Sequence, residues 1–320
     1  MSAPLFADLS PIARENEPLA RHTSFAVGGP ARYFAEPRDW ETFHLAFQRG
    51  REAGLRVRIL GRGSNILVTD EPHDCLVLST RHLGDLRRSG TCIEADAGVY
   101  LPRLVSSAES WGLAGLEPLA GIPGSVGGAV AMNAGGRYGR VANALVGAMV
   151  ACPGQLPRWV DAAELGLDYR YSIVPTTGLV VLSATFQLDK APPRQLEARR
   201  LSILAEKHAT QPVDARSAGC VFKNPPKGSH LHFAHSGHVP NEDVTPSAGW
   251  LIDQAGLKGL RVGGAVVSQK HANFIVNDGN ATARDILQLI ELVGQRVHQC
   301  FGIRLKLEIE VWTSADSERR

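Results

Sequence analysis

The sequence predicts an α+β protein of two or three domains. Three observations carry that prediction. A helix, a strand and a glycine turn follow one another between Trp40 and Asn65. A second helix runs from Leu101 into a stretch dense in glycine. A long amphipathic helix from Ala283 leads into a segment of alternating character that ends at Trp312. At 320 residues, 44% of them hydrophobic, the chain exceeds one typical domain and has apolar material for more than one core.

Each element has a local reason. Trp40 to Gly54 reads as a helix: Asp39 can accept from its first free N–H groups, and Trp40, Phe43 and Phe47 form an apolar stripe that Leu55 extends. Arg56 to Leu60 alternates as a strand does and runs into Gly61-Arg62-Gly63-Ser64-Asn65. A second strand covers Leu76 to Leu78. A glycine turn placed after a strand favours anion binding. Leu101, Leu104, Val105, Ala108 and Trp111 fall on one helical face. Leu179 to Leu188, apolar and β-branched, reads as a strand. Ala191-Pro192-Pro193 breaks the pattern, and a basic, amphipathic helix resumes from Arg194 to Lys207, so the two prolines mark a domain boundary. Ala283 to Phe301 places Ile286, Leu289, Ile290, Val293 and Val297 on one stripe, with Thr282 capping its start and Gly302 ending it. From Ile303 to Trp312 a single strand is expected. Ile303, Leu305, Leu307, Ile309 and Val311 would share one face, and Arg304, Lys306, Glu308 and Glu310 the other.

Ala120 to Gly139 is the most informative stretch. Gly121, Gly124, Gly127, Gly128, Gly135, Gly136 and Gly139 crowd together with no acidic residue among them. A chain tolerates that freedom where backbone bends sharply or approaches another group closely. Bare N–H groups in such a loop can cradle a pyrophosphate, and Ser125 and Asn133 are short polar side chains able to meet the edge of a flat ring. The alternative is a purely structural turn. The loop Gly61 to Asn65 lacks the spacing of the usual dinucleotide fingerprint, and no Gly-Lys-Ser/Thr follows it to mark a Walker loop. Two glycine loops well apart in sequence suit a long ligand held along its length, the shape of a flavin dinucleotide.

Composition excludes several classes. The formal net charge is +2 and no basic block is interleaved with aromatics, so nucleic acid is not an expected partner. Met1 to Pro18 lacks the basic start and apolar core of a secretory signal. No uncharged apolar run reaches the ~20 residues a membrane-spanning helix needs. The five cysteines, Cys75, Cys92, Cys152, Cys220 and Cys300, show neither metal-ligand nor redox-motif spacing. Reduced thiols in a cytoplasmic protein are expected, most of them small core residues, with no metal site.

A longer series of motifs covers nearly the whole chain. Thr23-Ser24-Phe25 with Val27-Gly28-Gly29-Pro30-Ala31 comes first, then Leu60-Gly61-Arg62-Gly63-Ser64-Asn65. Gly121-Ile122-Pro123-Gly124-Ser125-Val126-Gly127-Gly128 follows with Met132-Asn133-Ala134-Gly135, then Tyr169-Arg170-Tyr171-Ser172. Ser217-Ala218-Gly219-Cys220-Val221-Phe222-Lys223-Asn224-Pro225, Ala248-Gly249-Trp250-Leu251-Ile252-Asp253, Ala272-Asn273-Phe274-Ile275-Val276-Asn277 and Leu307-Glu308-Ile309-Glu310-Val311 complete it. The paired glycine loops resemble the flavin-binding domain of vanillyl-alcohol-oxidase-type enzymes. The full series resembles the UDP-N-acetylenolpyruvoylglucosamine reductases of peptidoglycan synthesis.

The resemblance implies an FAD-binding domain of the vanillyl-alcohol-oxidase type in two α/β subdomains, residues 1–80 and 81–191, and a C-terminal α+β substrate domain, residues 194–320. FAD would be held by Gly61, Arg62, Gly63, Ser64, Asn65, Gly121, Ile122, Pro123, Gly124, Ser125, Gly127, Asn133 and Ala134, with Tyr138 packed on the ring. NADPH is the implied co-substrate: it reduces the flavin and leaves. The enolpyruvyl ether of UDP-N-acetylglucosamine then binds the same face and becomes UDP-N-acetylmuramate. A cytoplasmic monomer is implied, with no nucleic-acid or membrane partner.

Reducing an enolpyruvyl group is a conjugate addition. Hydride from flavin N5 reaches the terminal carbon, and negative charge grows on the neighbouring carbon and its carboxylate. A cation, a proton donor and an aligning group are needed. The resemblance assigns these roles to Arg170, Cys220 and Glu310, and substrate contacts to Asn224 and His271. Lys223, close to Cys220, and Tyr169 are further candidates, while turn chemistry before Pro225 and a structural histidine are the alternatives for Asn224 and His271. Cys220 stands where many members of that family carry serine. A thiol, with a reference pKa of about 8.5, is a far better acid than an alcohol. By residue chemistry alone Arg170 could close a salt bridge, Cys220 could be a buried thiol and Glu310 could lie on a wet face.

Two features depart from the family pattern. No tyrosine follows Tyr171, so the chain resembles the branch lacking a loop tyrosine over the sugar nucleotide. Pro226 to Ser247 is longer than the family's connection. It carries His230, His232, His235 and His238, whose spacing fits no zinc motif, and reads as a solvated insertion. Two other functions stay open at this level: an alcohol-oxidase-type flavoenzyme, and a non-catalytic flavin or sugar-nucleotide binding protein.

Overall fold

The computed structural model describes residues 5–9, 12–152, 155–226 and 246–314. The chain divides into two compact units. One comprises Met1–Glu17, Ala31–Arg62 and His73–Lys207; the other comprises Pro18–Pro30, Gly63–Pro72 and His208–Arg320. The histidines at 230, 232, 235 and 238 lie outside the described residues.

Two main sheets, beside two short two-stranded ones, build the first unit. In the four-stranded sheet the order is Ala13–Pro18, Pro30–Ala35, His73–Ser79, Arg56–Leu60, and the last three strands run parallel. A parallel strand is covered on both faces and reads as a continuous apolar run; Leu76, Val77 and Leu78 are accordingly buried. That strand extends beyond the expected Leu76–Leu78 to His73–Ser79. The helix Trp40–Glu52 begins where Thr42 N–H donates to Asp39 Oδ1 at 2.7 Å. It packs Phe43 and Ala46 with Leu76 and Leu78.

The second sheet of this unit is antiparallel, in the order Arg158–Asp161, Leu145–Ala151, Val180–Gln187, Cys92–Asp96, Leu86–Ser89. The helix Leu101–Ser110 buries Leu101, Leu104, Val105 and Ala108, the stripe read from the sequence, in one core with Val126, Val130, Ala148 and Phe186. The helix Pro193–Thr210 buries only Leu196 and Ile203. Arg200 Nε reaches Glu109 at 2.6 Å, which ties this helix to Leu101–Ser110. The unit boundary therefore falls after Lys207, beyond the Pro192-Pro193 break.

In the second unit the helix Ala283–Phe301 has the predicted ends. Thr282 and Asp285 form a reciprocal capping box, and Gly302 stops the helix at φ 71°. Asp70, distant in sequence, adds a second cap by accepting from Ala283 N and Arg284 N at 3.0 and 3.1 Å. The buried stripe packs with Leu251 and Ile252 of the helix Ala248–Gln254, and with Ala265, Val267 and Ile275. The last two strands of the antiparallel sheet Arg261–Val262, Ala265–Val267, Ile275–Asn277 supply those residues.

One expected strand is not continuous. Only Glu310–Trp312 is a strand, parallel to Ile66–Val68. The preceding residues pair elsewhere: Lys223 N–H donates to Lys306 O and Glu308 N–H to Val221 O, both at 2.8 Å. The chain changes partner between Glu308 and Glu310, and the alternation loses phase there. Leu307 is exposed (37%) and Glu308 buried (9%), the reverse of a simple two-residue period.

None of the five cysteines is in a disulfide, but only Cys75 is buried; the other four are half-buried. The expectation of mostly core thiols fails because the other four sit at strand and helix ends or in loops. Among the described residues no helix is long and apolar enough to cross a membrane.

Candidate active site

The two glycine loops are neighbours in the first unit. A Cβ on Gly61 would lie 2.3 Å from Ser125 Oγ, and Ser125 bridges Tyr100. The Arg62 guanidinium stands over the Tyr100 ring at 5.1 Å. Its Nε is buried without a hydrogen-bond partner. Burial, and then the nearby charge of Arg81, pulls its pKa below the ordinary arginine value. A desolvated cation beside a second cation is stabilised by an arriving anion. This orphaned donor beside a glycine cradle fits the diphosphate of FAD. Gly61→Ala is expected to push the loops apart and weaken FAD binding on the order of tenfold, about 1.4 kcal/mol. Flavin retained through gel filtration checks this, and an alanine variant as yellow as the parent contradicts it.

The glycine stretch contains a helix, Val126–Ala131, whose cap is Ser125 Oγ accepting from Gly128 N–H. It escapes sequence reading because six glycine-rich residues show no usable period. Gly127 is fixed by packing: its N–H donates to Ala97 O at 2.9 Å, and a Cβ would come within 2.7 Å of Ala97 Cβ. Gly121, at φ 69°, Ile122 and Gly127 are half-buried and Pro123 is exposed, whereas Gly124 and Ala134 are buried. Ser125 and Asn133 are each only 2% exposed. The Ser125 side chain is engaged locally, as the cap of that helix.

Asn133 instead faces backbone. Its Oδ1 accepts from Ala142 N–H at 3.1 Å and its Nδ2 donates to Asp168 O at 2.9 Å. Asp168 opens the tight turn that carries Tyr169 and Arg170: Asp168 N–H donates to Tyr171 O at 3.1 Å and Tyr171 N–H to Asp168 O at 3.2 Å. Arg170 takes φ 52°, a left-handed conformation costing a non-glycine residue about 1–2 kcal/mol. Ser172 Oγ donates to Ala131 O at 2.6 Å. Tyr169 and Tyr171 are exposed, and Arg170 is half-buried. Tyr138 donates its hydroxyl to Glu206, while Arg137 stacks on its ring at 4.8 Å.

Lys207 belongs to this site and sequence reading missed it. Its Nζ donates to Ala120 O at 2.6 Å. Burial, then the charge of Arg170, pushes its pKa down to about 8. That coupling sets a second cation beside Arg170. The only sequence signal is a lysine near the end of a basic helix.

In the second unit the Cys220 segment lies between two others. Cys220 bridges Phe274, and Val221 N–H donates to Asn273 O at 2.8 Å. The Asn273 amide accepts from Phe222 N–H at 3.0 Å and donates to Phe222 O at 2.8 Å. On the other side run residues 306–308. Asn65 Nδ2 donates to Glu308 O at 3.3 Å, and Asn65 O accepts from Glu310 N–H at 2.9 Å. The end of the first glycine loop, the thiol segment and the Glu310 strand thus meet within one unit. Glu310 is exposed and its carboxylate accepts from Trp312 Nε1 at 2.9 Å.

The other predicted substrate contacts are also in this unit. Asn224 is exposed and accepts from Ala248 N–H at 3.0 Å; Lys223 is half-buried. His271 accepts from Asn273 N–H on Nδ1 at 3.3 Å and sets its ring edge-on to Phe274 at 4.9 Å. Burial, then Lys258, lowers its pKa, so the ring is neutral near pH 7 with its proton on Nε2. Gly63 packs under His22 and Thr23 of the N-terminal motif: a Cβ there would lie 2.0 Å from His22 O. Arg170 belongs to the first unit, Cys220 and Glu310 to the second.

Residues 31–154 match the family described as FAD binding domain. With the orphaned arginine at the glycine loops, this defines an FAD-containing oxidoreductase of mixed α and β structure. Residues 211–312 match the UDP-N-acetylenolpyruvoylglucosamine reductase, C-terminal domain. The chain is 42% identical over 300 residues to the UDP-N-acetylenolpyruvoylglucosamine reductase of Moorella thermoacetica, covering 93% of this chain and 92% of that one. To the enzyme of the same name from Synechococcus sp. it is 42% identical over 308 residues, covering 95% and 94%. The solved reductase from Thermus caldophilus superposes with a TM-score of 0.75 at 38% identity, over 92% of this chain and 97% of that one. The chain belongs to the UDP-N-acetylenolpyruvoylglucosamine reductase family.

Proposed function

We propose that this chain uses NADPH to reduce the enolpyruvyl ether of UDP-N-acetylglucosamine to UDP-N-acetylmuramate, with Arg170, Cys220 and Glu310 as its catalytic residues. The observation that carries the reading is the clamp on the thiol segment. Asn273 and residues 306–308 fix Cys220 on the same framework as Glu310 and the end of a flavin loop. When bound, FAD supplies the hydride that reaches the terminal carbon of the enolpyruvyl group. Cys220 Sγ gives its proton to the neighbouring carbon, and the thiolate left behind is reprotonated from solvent before the next turnover. Arg170 holds the carboxylate through its planar fork, where negative charge grows in the transition state. Glu310 aligns the guanidinium or assists the proton.

In the same proposal Tyr169, Lys223, Asn224 and His271 contact substrate, and Tyr138 closes one side of the flavin ring. The cofactor is cradled by the backbone of Gly61, Arg62, Gly63, Ser64, Asn65, Gly121, Ile122, Pro123, Gly124, Ser125, Gly127, Asn133 and Ala134. The division 1–80, 81–191 and 194–320 is proposed for the two flavin subdomains and the substrate domain by function, although the helix Pro193–Thr210 packs with the first unit up to Lys207. A cytoplasmic monomer without nucleic-acid or membrane partners fits free thiols and soluble nucleotide substrates.

The deciding experiment follows flavin absorbance without air. NADPH should bleach the yellow protein, and the enolpyruvyl sugar nucleotide should restore the colour. Restoration by oxygen but not by that substrate would instead favour the alcohol-oxidase-type alternative.

Lys207 predicts a pH dependence. Below about 8 its ammonium is intact and adds to the charge of Arg170; above it the amine is neutral and the attraction for an anion is lost. The KM for the anionic substrate is expected to rise about tenfold between pH 7 and pH 9. Lys207→Met should flatten that limb, and an unchanged profile in the variant would remove Lys207 from substrate binding.

A further inference from the structure

We infer that Asn133 is a positioning residue for Arg170, its side chain tying the turn that carries the guanidinium to the exit of the glycine-stretch helix. The inference rests on the reading in which Arg170 holds the enolpyruvyl carboxylate. Asn133 is 2% exposed. Both ends of its amide are engaged with backbone. The oxygen takes Ala142 N–H and the nitrogen donates to Asp168 O. That same Asp168 carbonyl receives Tyr171 N–H and closes the turn. Two residues upstream of Asn133, Ala131 O accepts from Ser172 Oγ, which in turn accepts from Val174 N–H at 3.2 Å. Ser172 is 1% exposed.

The turn is therefore pinned at its start by Asn133 and just past its end by Ser172, both against residues 131–133. Between the pins sits Arg170 at φ 52°. A left-handed arginine persists only where surrounding structure over-determines it. Asn133 itself adopts φ 41°, a conformation asparagine accepts more readily than most residues, and this aims its amide across at Asp168. The backbone that leaves the cofactor loop thus sets the direction of the substrate-side cation.

The test separates the two half-reactions by stopped-flow at the flavin band. Asn133→Ala should retain FAD and be bleached by NADPH within about twofold of the parent rate. Its reoxidation by the enolpyruvyl sugar nucleotide should be slower by about tenfold or more. In an Arg170→Ala background the same change should add almost nothing, because positioning acts only through the group positioned. A slow Arg170→Ala beside a normal Asn133→Ala overturns the inference alone. A normal Arg170→Ala sinks the role of Arg170 itself, and the inference with it. Should Asn133→Ala fail to hold FAD, Ser172→Ala is read in the same assay. A slowed reoxidation with FAD retained supports the linkage; a parental rate, or loss of FAD in both variants, overturns it.

Discussion

Cys220→Ala is expected to slow reoxidation of the reduced flavin by the enolpyruvyl sugar nucleotide by about 10²–10⁴-fold, the usual cost of losing a positioned general acid. Flavin reduction by NADPH should be unaffected, because that half-reaction needs no proton from the thiol. Cys220→Ser should keep appreciable turnover, since a hydroxyl fills nearly the same space and carries a transferable proton. The fold should tolerate both changes. Cys220 is half-buried, and its segment is held through Val221, Phe222 and Asn273. Thiol chemistry gives an independent check: an alkylating agent should block the substrate half-reaction of the parent and leave the serine variant untouched. An alanine variant that reduces substrate at the parental rate takes Cys220 out of the mechanism.

Arg170 carries the second large effect. Arg170→Ala is expected to lower kcat by about 10²–10³-fold, the range seen when a preorganised donor to a developing anion is removed. Arg170→Lys should recover little of it, because a point charge does not reproduce a two-pronged contact with a carboxylate. Arg170→Gly is more diagnostic. At φ 52° glycine relieves about 1–2 kcal/mol of strain, while the freer unfolded chain takes back about 0.4–1 kcal/mol. Stability should hold or improve slightly as turnover collapses. A residue kept only for a structural ion pair would show the opposite, so thermal melting beside kcat decides between the two. A glycine variant that melts earlier and turns over normally would end the catalytic assignment.

The helices Trp40–Glu52, Leu101–Ser110 and Ala283–Phe301 were legible in the sequence, because each combines an apolar stripe at helical spacing with a recognisable start or stop. The segment at 303–312 was not. Its alternation is real in composition, but its partner changes from residues 221–223 to Ile66–Val68, and no local pattern encodes an exchange of partners. The glycine loops stand out in the sequence as a candidate site, but the local bonds of the side chains inside them do not. Ser125 and Asn133 look like ligand contacts by type, and the fold uses them as a cap and a brace. Lys207 was invisible for a different reason. Its perturbed amine arises from burial and from a guanidinium distant in sequence, neither of which a linear reading contains.

The parallel pairing of Glu310–Trp312 with Ile66–Val68 has a consequence for how a nascent chain matures. Ile66–Val68 emerges well before its partner, which lies far downstream in the chain. At ~5–20 residues per second the delay is roughly ten to fifty seconds. Throughout that interval an apolar strand edge stays open to other chains, and a ribosome that stalls before Glu310 would release a polypeptide prone to clump. Synthesis speed and chaperone occupancy during that interval then bear on how much folded enzyme a cell obtains.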